Sequence, residues 1–327
     1  MEKKLNKYLW VMFGGAIWDA LWSVTEFLTP DKFWLIKDFQ WRPKFRTKPW
    51  ERTDDTAMTL CLAQSLIDCN WFNIEDQLDK YLQWFENWYM SSTDRAFWIW
   101  RQTWHNIYKY KMYKEWKIEE KIREKDLSGK NKDSNWSIMR IGSIPLYFFN
   151  NIKSAIYYAW ESVKSTHNTD ICIDTAKYFV WLIIGALLWE SKETLLSINY
   201  SPIPNYRNNN INKHLKKIVD WSYKNKNKKD LWLKYWYVLD SLEVALWWFY
   251  NFDNFEEWLI NIVNLWYDAD TNWCIYWFLA WAYYWYDNIP DRRKDNIAKK
   301  ELITKITMDL YNLKNTPFKK EKYMLNL

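Results

Sequence analysis

Apolar positions recur along this chain with a helical period. Met58, Cys61, Leu62 and Leu66 form one stripe, Leu242, Ala245, Leu246 and Phe249 a second, and Ile275, Phe278, Leu279 and Ala282 a third. Two-residue alternation of useful length is absent, so strands are not expected. Helix starts are marked by hydroxyl and acidic residues: Thr53 precedes Asp54 and Asp55, and Asp268 to Thr271 precede the last long apolar run. Loops are expected around Pro30 to Pro49, Ser128 to Trp136 and Asn199 to Asn212. The pattern predicts an all-α fold, one compact many-helix domain over residues 1–327, with a lysine-rich insertion around 110–134.

Composition adds constraints. With 49% hydrophobic residues the chain has ample material for a sizeable core, and its net charge of +6 is a mild excess. The lysines gather at Lys109 to Lys132 and Lys213 to Lys229 without a nucleic-acid-binding motif, so solvated surface is expected there rather than a nucleic-acid interface. Cys61, Cys69, Cys172 and Cys274 show no C-x-x-C pair and no zinc spacing with the three histidines, which points to reduced thiols and a cytoplasmic protein. Lys3, Lys4 and Lys7 ahead of Tyr8 to Trp18 imitate a secretory signal, but the run continues through Asp19 to Glu26 without a small-residue cleavage site. The most apolar window, Cys274 to Tyr286, is too short to span a membrane.

Against that ordinary background stand 28 tryptophans and 5 glycines. Glycine normally makes up about 7% of a chain. The tryptophans of Trp18-Asp19-Ala20-Leu21-Trp22, Asn135-Trp136-Ser137 and Asp270-Thr271-Asn272-Trp273 occupy places where a turn or close approach favours glycine. Some bacterial lineages read UGA as glycine and others as tryptophan, and lysine, asparagine and isoleucine abundance fits an A+T-rich gene. The expectation is that many of these tryptophans are UGA-encoded glycines. The other reading is a truly tryptophan-rich protein that stacks sugars on aromatic platforms.

Two acidic clusters could carry chemistry: Thr53-Asp54-Asp55-Thr56 and Asp268-Ala269-Asp270-Thr271. Each is either an ordinary helix cap or a set of hard oxygen ligands suited to Mg²⁺ or Mn²⁺. Asp268 to Trp273, with glycine at 273, matches the first half of an EF-hand loop, but its twelfth position is Leu279 instead of a bidentate Glu. No Walker sequence, nucleophile elbow or H-E-x-x-H is present, and nothing in the spacing of Ser143 and His167 favours a triad.

Taken in order, several segments resemble the ADP-ribosylglycohydrolase family, which includes the bacterial enzyme that reactivates dinitrogenase reductase. They are Gly14 to Trp22 running on to Glu26, Thr53 to Leu60, Ser134 to Arg140, Ser165 to His167, Leu242 to Trp247, and Asn264 to Asn272, closing near Ile289-Pro290. The resemblance implies an all-α fold with a cleft holding two divalent cations, Mg or Mn. It assigns Thr53, Asp54 and Asp55 to one ligand group and Asp268, Asp270 and Thr271 to the other. Asp55 and Asp268 would also orient or deprotonate the attacking water, and Glu26 would gate the site or assist proton transfer. Asn135, Trp136, Ser137 and Met139 correspond to a loop beside the nucleotide where Ser137 adds a donor, His167 to the rim, and Trp266 to the cleft.

The implied activity is hydrolysis of the bond between ADP-ribose and an acceptor, with an ADP-ribosylated protein or small ADP-ribose conjugate as substrate and a monomer as the working unit. A catalytically silent member acting as a binding or structural protein is the alternative. The family has glycine where this chain has Trp18, Trp22, Trp50, Trp136, Trp236, Trp266, Trp273, Trp277, Trp281 and Trp285, whereas Trp84 and Trp247 match positions that accept an aromatic.

Overall fold

The structure, a computed structural model, describes residues 2–22, 47–93, 99, 101–116, 133–203, 212–227, 230–231, 237–252, 275, 278–280, 282–283 and 289–313. Its regular elements are helical, as the periodicity predicts. They are α1 (Lys3–Trp22), α2 (Asp54–Cys69), α3 (Ile74–Asn87), α4 (Arg101–Trp116), α5 (Ser143–Tyr147), α6 (Ile152–Lys164), α7 (Asp170–Leu187), α8 (Lys192–Leu195), α9 (Lys213–Val219), α10 (Val238–Asn251), α11 (Asp291–Asn296) and α12 (Lys300–Leu313). Short 3₁₀ turns cover Asn135–Ser137 and Ser222–Asn225. An antiparallel bridge joins Ser134 to Tyr237. The fold is all-α.

α1 is buried along most of its length. From Asn6 to Leu21 every residue is buried, because the helix is apolar nearly all round and has neighbours on more than one side. It packs on α2, α11 and α12, with Tyr8 edge-on to Tyr311 at 5.3 Å between ring centroids and its hydroxyl donating to Leu146 O at 2.6 Å. A second buried layer comes from α6 against α7, and α10 packs on α7 in turn. The three stripes read from the sequence all lie in the core.

Local chemistry sets the helix boundaries. Asn73 accepts from Glu75 N and Asp76 N to open α3, Asn151 from Ser154 N to open α6, and Thr169 from Cys172 N to open α7. Asn70 closes α2 in the left-handed region, φ 46°, returning its N–H to Ile67 O. Two glycines sit where no side chain fits. A Cβ at Gly142 would lie 2.2 Å from the Phe278 ring, and one at Gly185 would lie 2.0 Å from the Tyr200 hydroxyl.

The lysine-rich stretch begins inside a helix, since α4 runs to Trp116; its continuation to 132 falls outside the described residues. Cys61, Cys69 and Cys172 are free thiols. Burial raises the Cys61 thiol's pKa and pushes Cys172 up to about 11, so both are inert. Among the described residues no helix is long and apolar enough to cross a membrane.

Candidate functional site

The first acidic cluster stands at the N-terminus of α2, where four backbone N–H groups lack partners within the helix. Thr53 occupies the cap position in extended conformation but makes no side-chain cap bond of its own. Asp19, reaching across from α1, takes over that task. Its Oδ1 accepts from Thr53 N at 2.8 Å and from the Thr53 hydroxyl. Its Oδ2 accepts from Thr56 N at 3.0 Å and from Thr56 Oγ1 at 2.5 Å. A single carboxylate thus ties together both ends of the first helical turn, in a field that the α2 dipole makes favourable for a negative charge.

Burial raises the Asp19 pKa, while the hydrogen bonds from Thr53 and Thr56 oppose it by stabilising the ionised form. Arg52 supplies a nearby cation: burial brings its pKa down to about 10, and the charge on Asp19 partly offsets this. Arg52 is itself inside the protein, with Nε donating to Ala298 O at 3.2 Å. Its Nη1 and Nη2 have no hydrogen-bond partner among the described residues. Asp54 and Asp55, at 5% and 1% exposure, sit just inside this frame with Thr53. Three oxygen-bearing side chains are therefore presented by one buried turn.

A second polar network gathers the other motifs. Arg140 Nη1 donates to the Tyr81 hydroxyl at 2.7 Å, and Nη2 donates to Thr166 Oγ1 at 2.5 Å and Ser162 O at 3.3 Å. Thr166 Oγ1 in turn lies 2.8 Å from His167 Nδ1. Arg140 and Thr166, which belong to separate segments of the sequence, are thereby locked to α3 and to the end of α6. His167 is completely buried in this network and so does not line an exposed rim.

The turn at Asn135–Ser137 is equally enclosed. Asn135 Nδ2 donates to Ser241 Oγ of α10 at 3.1 Å, and Ser137 Oγ gives its proton to Ser134 O at 2.6 Å. The Ser137 hydroxyl, which the resemblance implies as an added donor beside the nucleotide, here closes its own turn. Trp136 and Met139 pack in the apolar core. Glu26, Trp266, Asp268, Asp270 and Thr271 lie outside the described residues, and the second acidic cluster with them. Among the described residues no three His, Cys, Asp or Glu side chains converge as a metal cluster.

Asp19 and Arg52 are the participants that sequence reasoning left aside. The available signal for Asp19 was a lone acid inside a helix otherwise buried all round, which needs a partner.

Comparison with known proteins adds to this geometry. The family model described as ADP-ribosylglycohydrolase matches residues 1–319. The chain is 27% identical over 311 residues to ADP-ribosylarginine hydrolase Tri1 of Serratia proteamaculans (strain 568), covering 95% of this chain and 80% of the relative. It is 26% identical over 314 residues to ADP-ribosylarginine hydrolase Tri1 of Pseudomonas putida (strain GB-1), covering 95% and 79%. A solved structure described as an ADP-ribosylglycohydrolase-related protein complex superposes with a TM-score of 0.77 at 25% identity, over 96% of this chain and 100% of the other. Matched by that model along nearly all its length, the chain belongs to the ADP-ribosylglycohydrolase family and is a hydrolase.

Proposed function

We propose that this protein releases ADP-ribose from an acceptor, with a protein arginine side chain as the leading candidate, by means of two divalent cations, Mg²⁺ or Mn²⁺. The observation that carries the reading is the buried α2 N-terminus, where Thr53, Asp54 and Asp55 share one turn and Asp19 engages the Thr53 hydroxyl. Hard oxygen donors crowded together suit divalent cations of this type. Thr53, Asp54 and Asp55 would hold the ions from one side, and Asp268, Asp270 and Thr271 from the other. When bound, such ions acidify a water and grip ribose hydroxyls.

The remaining chemistry falls to the protein's own groups. Asp55 and Asp268 orient the attacking water at the anomeric carbon and draw off its proton, and Glu26 returns a proton to the leaving group. Asn135, Trp136, Ser137, Met139, His167 and Trp266 shape the nucleotide side, Asn135 and His167 through their side-chain bonds to Ser241 and Thr166. The two relatives named as ADP-ribosylarginine hydrolases support an arginine linkage. The protein is read as one domain over 1–327, working as a cytoplasmic monomer.

Glycine in place of many tryptophans belongs to the same proposal, since Trp136 and Trp266 would crowd the cleft. Support comes from Trp50, whose φ of 73° lies in the left-handed region, where a side chain costs about 1 kcal/mol or more. Trp88, Trp189 and Trp221, at φ 60°, 72° and 72°, share that conformation and extend the set. Trp88 closes α3 with its N–H bonded to Gln83 O and Trp84 O, the position glycine favours. Trp247, at a position that accepts an aromatic, stays tryptophan in this reading; its Nε1 donates to Lys226 O at 2.7 Å, and Trp221 Nε1 likewise donates to Leu196 O.

Two measurements test the proposal. ADP-ribose release from an ADP-ribosylated arginine substrate is expected to require Mg²⁺ or Mn²⁺ and to fall more than about 100-fold in Asp55→Ala and Asp268→Ala; undiminished turnover in the double variant refutes it. The gene's codons at Trp50, Trp88 and Trp136, with the intact mass of protein from its native source, decide the glycine assignment, and UGG at all three overturns it.

A further inference from the structure

We infer that Asp19 is a positioning residue for the cation site: it sets the direction in which the Thr53 hydroxyl offers its lone pairs. The inference rests on the two-cation reading above and adds a residue to it. A threonine hydroxyl has one proton and two lone pairs. To serve as a neutral ligand it must turn its proton away from the cation, and left to itself the hydroxyl rotates freely among its neighbours.

Here the rotation is fixed. The Thr53 hydroxyl has two carboxylate oxygens in reach, Asp19 Oδ1 and, at 3.5 Å, Asp55 Oδ2; the much shorter contact makes Asp19 the acceptor, and Thr53 N donates to the same Asp19 atom at 2.8 Å. Oδ1 already accepts from the Thr53 backbone N–H and takes the hydroxyl proton as a second bond, so the hydroxyl's lone pairs point elsewhere. Oδ2 is occupied by Thr56 N at 3.0 Å and Thr56 Oγ1 at 2.5 Å, which stops the carboxylate from swivelling. Asp19 is 2% exposed, so no water competes for these bonds. The Thr59 hydroxyl, one turn further along α2, donates to Asp55 O at 2.8 Å and stiffens the backbone that carries the second ligand.

An asparagine at position 19 would defeat this arrangement while keeping the shape. Its amide offers one acceptor and one donor group, but four donors face it. With Nδ2 toward Thr53, the hydroxyl must accept, and its proton swings toward the cation. With Nδ2 toward Thr56, two donors oppose each other at the helix start and the first turn is displaced.

The test measures Mn²⁺ binding to the full chain without substrate, by the electron paramagnetic resonance signal of free Mn²⁺, alongside thermal unfolding in metal-free buffer. Asp19→Asn is expected to weaken Mn²⁺ binding by about 10- to 100-fold, with lost turnover recovered as Mn²⁺ is raised. Thr56→Val, which removes one bond to Oδ2 and leaves Thr53 alone, is expected to lower the melting temperature and keep Mn²⁺ affinity within about threefold. Equal loss of Mn²⁺ affinity in Thr56→Val would reduce Asp19 to a structural brace and overturns the inference.

Wild-type affinity in a folded Asp19→Asn overturns it as well, and if Asp19→Asn does not fold, Asp19→Ser takes its place with the same expectation. Asp55→Ala separates the two levels. Were it to bind Mn²⁺ like the wild type, the cation reading would fail and this inference with it. If Asp55→Ala loses binding while the position-19 variant keeps it, the positioning role alone is lost.

Discussion

The two ends of α1 carry opposite buried charges, and each serves the end of another helix. Near its C-terminus Asp19 accepts the N-terminus of α2; near its N-terminus Lys7 donates from Nζ to Ala186 O at the C-terminus of α7. Both obey the dipole rule, anion at a helix start and cation at a helix end. They differ in completeness. Asp19 makes four hydrogen bonds and has Arg52 nearby. Lys7 has one carbonyl and the Trp189 ring, 3.6 Å from Nζ to the centroid, and it lines a cavity of about 660 Å³ with Glu2, Lys3, Lys4, Tyr8 and Phe149. Burial accordingly brings the Lys7 pKa down to about 7. Equal burial therefore yields a rigid joint where both oxygens of the carboxylate are answered and a titratable one where the ammonium is not.

Asp19→Ala gives the largest expected effect. It strands buried donors at the α2 start and should cost about 3 kcal/mol or more in denaturant unfolding; a loss below about 1 kcal/mol would mean that the two ends of α1 are not different in kind.

The next effect is pH dependence. Because the folded-state pKa of Lys7, about 7, lies below its unfolded value of 10.5, the unfolded chain binds more protons between those limits. Lys7 thus contributes a destabilisation that is fully present below about pH 7 and fades as pH rises toward 10.5. The neighbours Glu2, Lys3, Lys4 and Tyr8 remain in Lys7→Met, so the difference between the two proteins isolates Lys7. Unfolding free energies measured across that window should rise more steeply with pH in the wild type than in Lys7→Met, and parallel curves would refute the titratable joint.

The smallest effect concerns Trp189, half exposed at φ 72°. Trp189→Gly should stabilise by about 1 kcal/mol through relief of backbone strain, less whatever the ring contributes to Lys7. Trp88→Gly, at φ 60° with no lysine over its ring among the described residues, supplies the reference value. If the two gains are equal, the ring contributes nothing at the Lys7 end.

Much of this fold can be read from local pattern because periodicity reports what must be buried. The stripes at 58–66 and 242–249, and the start of α2 after Thr53, follow from residues within one or two turns. Partners are a different matter. That Asp19 would supply the acceptors for α2, and Arg140 the bonds to Thr166, depends on tertiary geometry between segments with no shared period. His167 looked like a rim residue by its place in a motif, yet its neighbours Thr166 and Arg140 draw it inside. The clustered acids at Thr53 to Asp55 are visible as a group, but the sequence does not show that Asp19 braces the turn that carries them.

The pairing of α1 (Lys3–Trp22) with α12 (Lys300–Leu313) sets a timetable for synthesis. A helix buried on all sides finishes docking only when its last neighbour has been made, and contacts this distant in sequence form late and slowly. Until α12 leaves the ribosome, a long apolar helix waits with part of its surface in water, within reach of chaperones. The joint at Thr53 needs only α1 and the start of α2, neighbours in sequence, so its parts are made long before the last helix that covers α1.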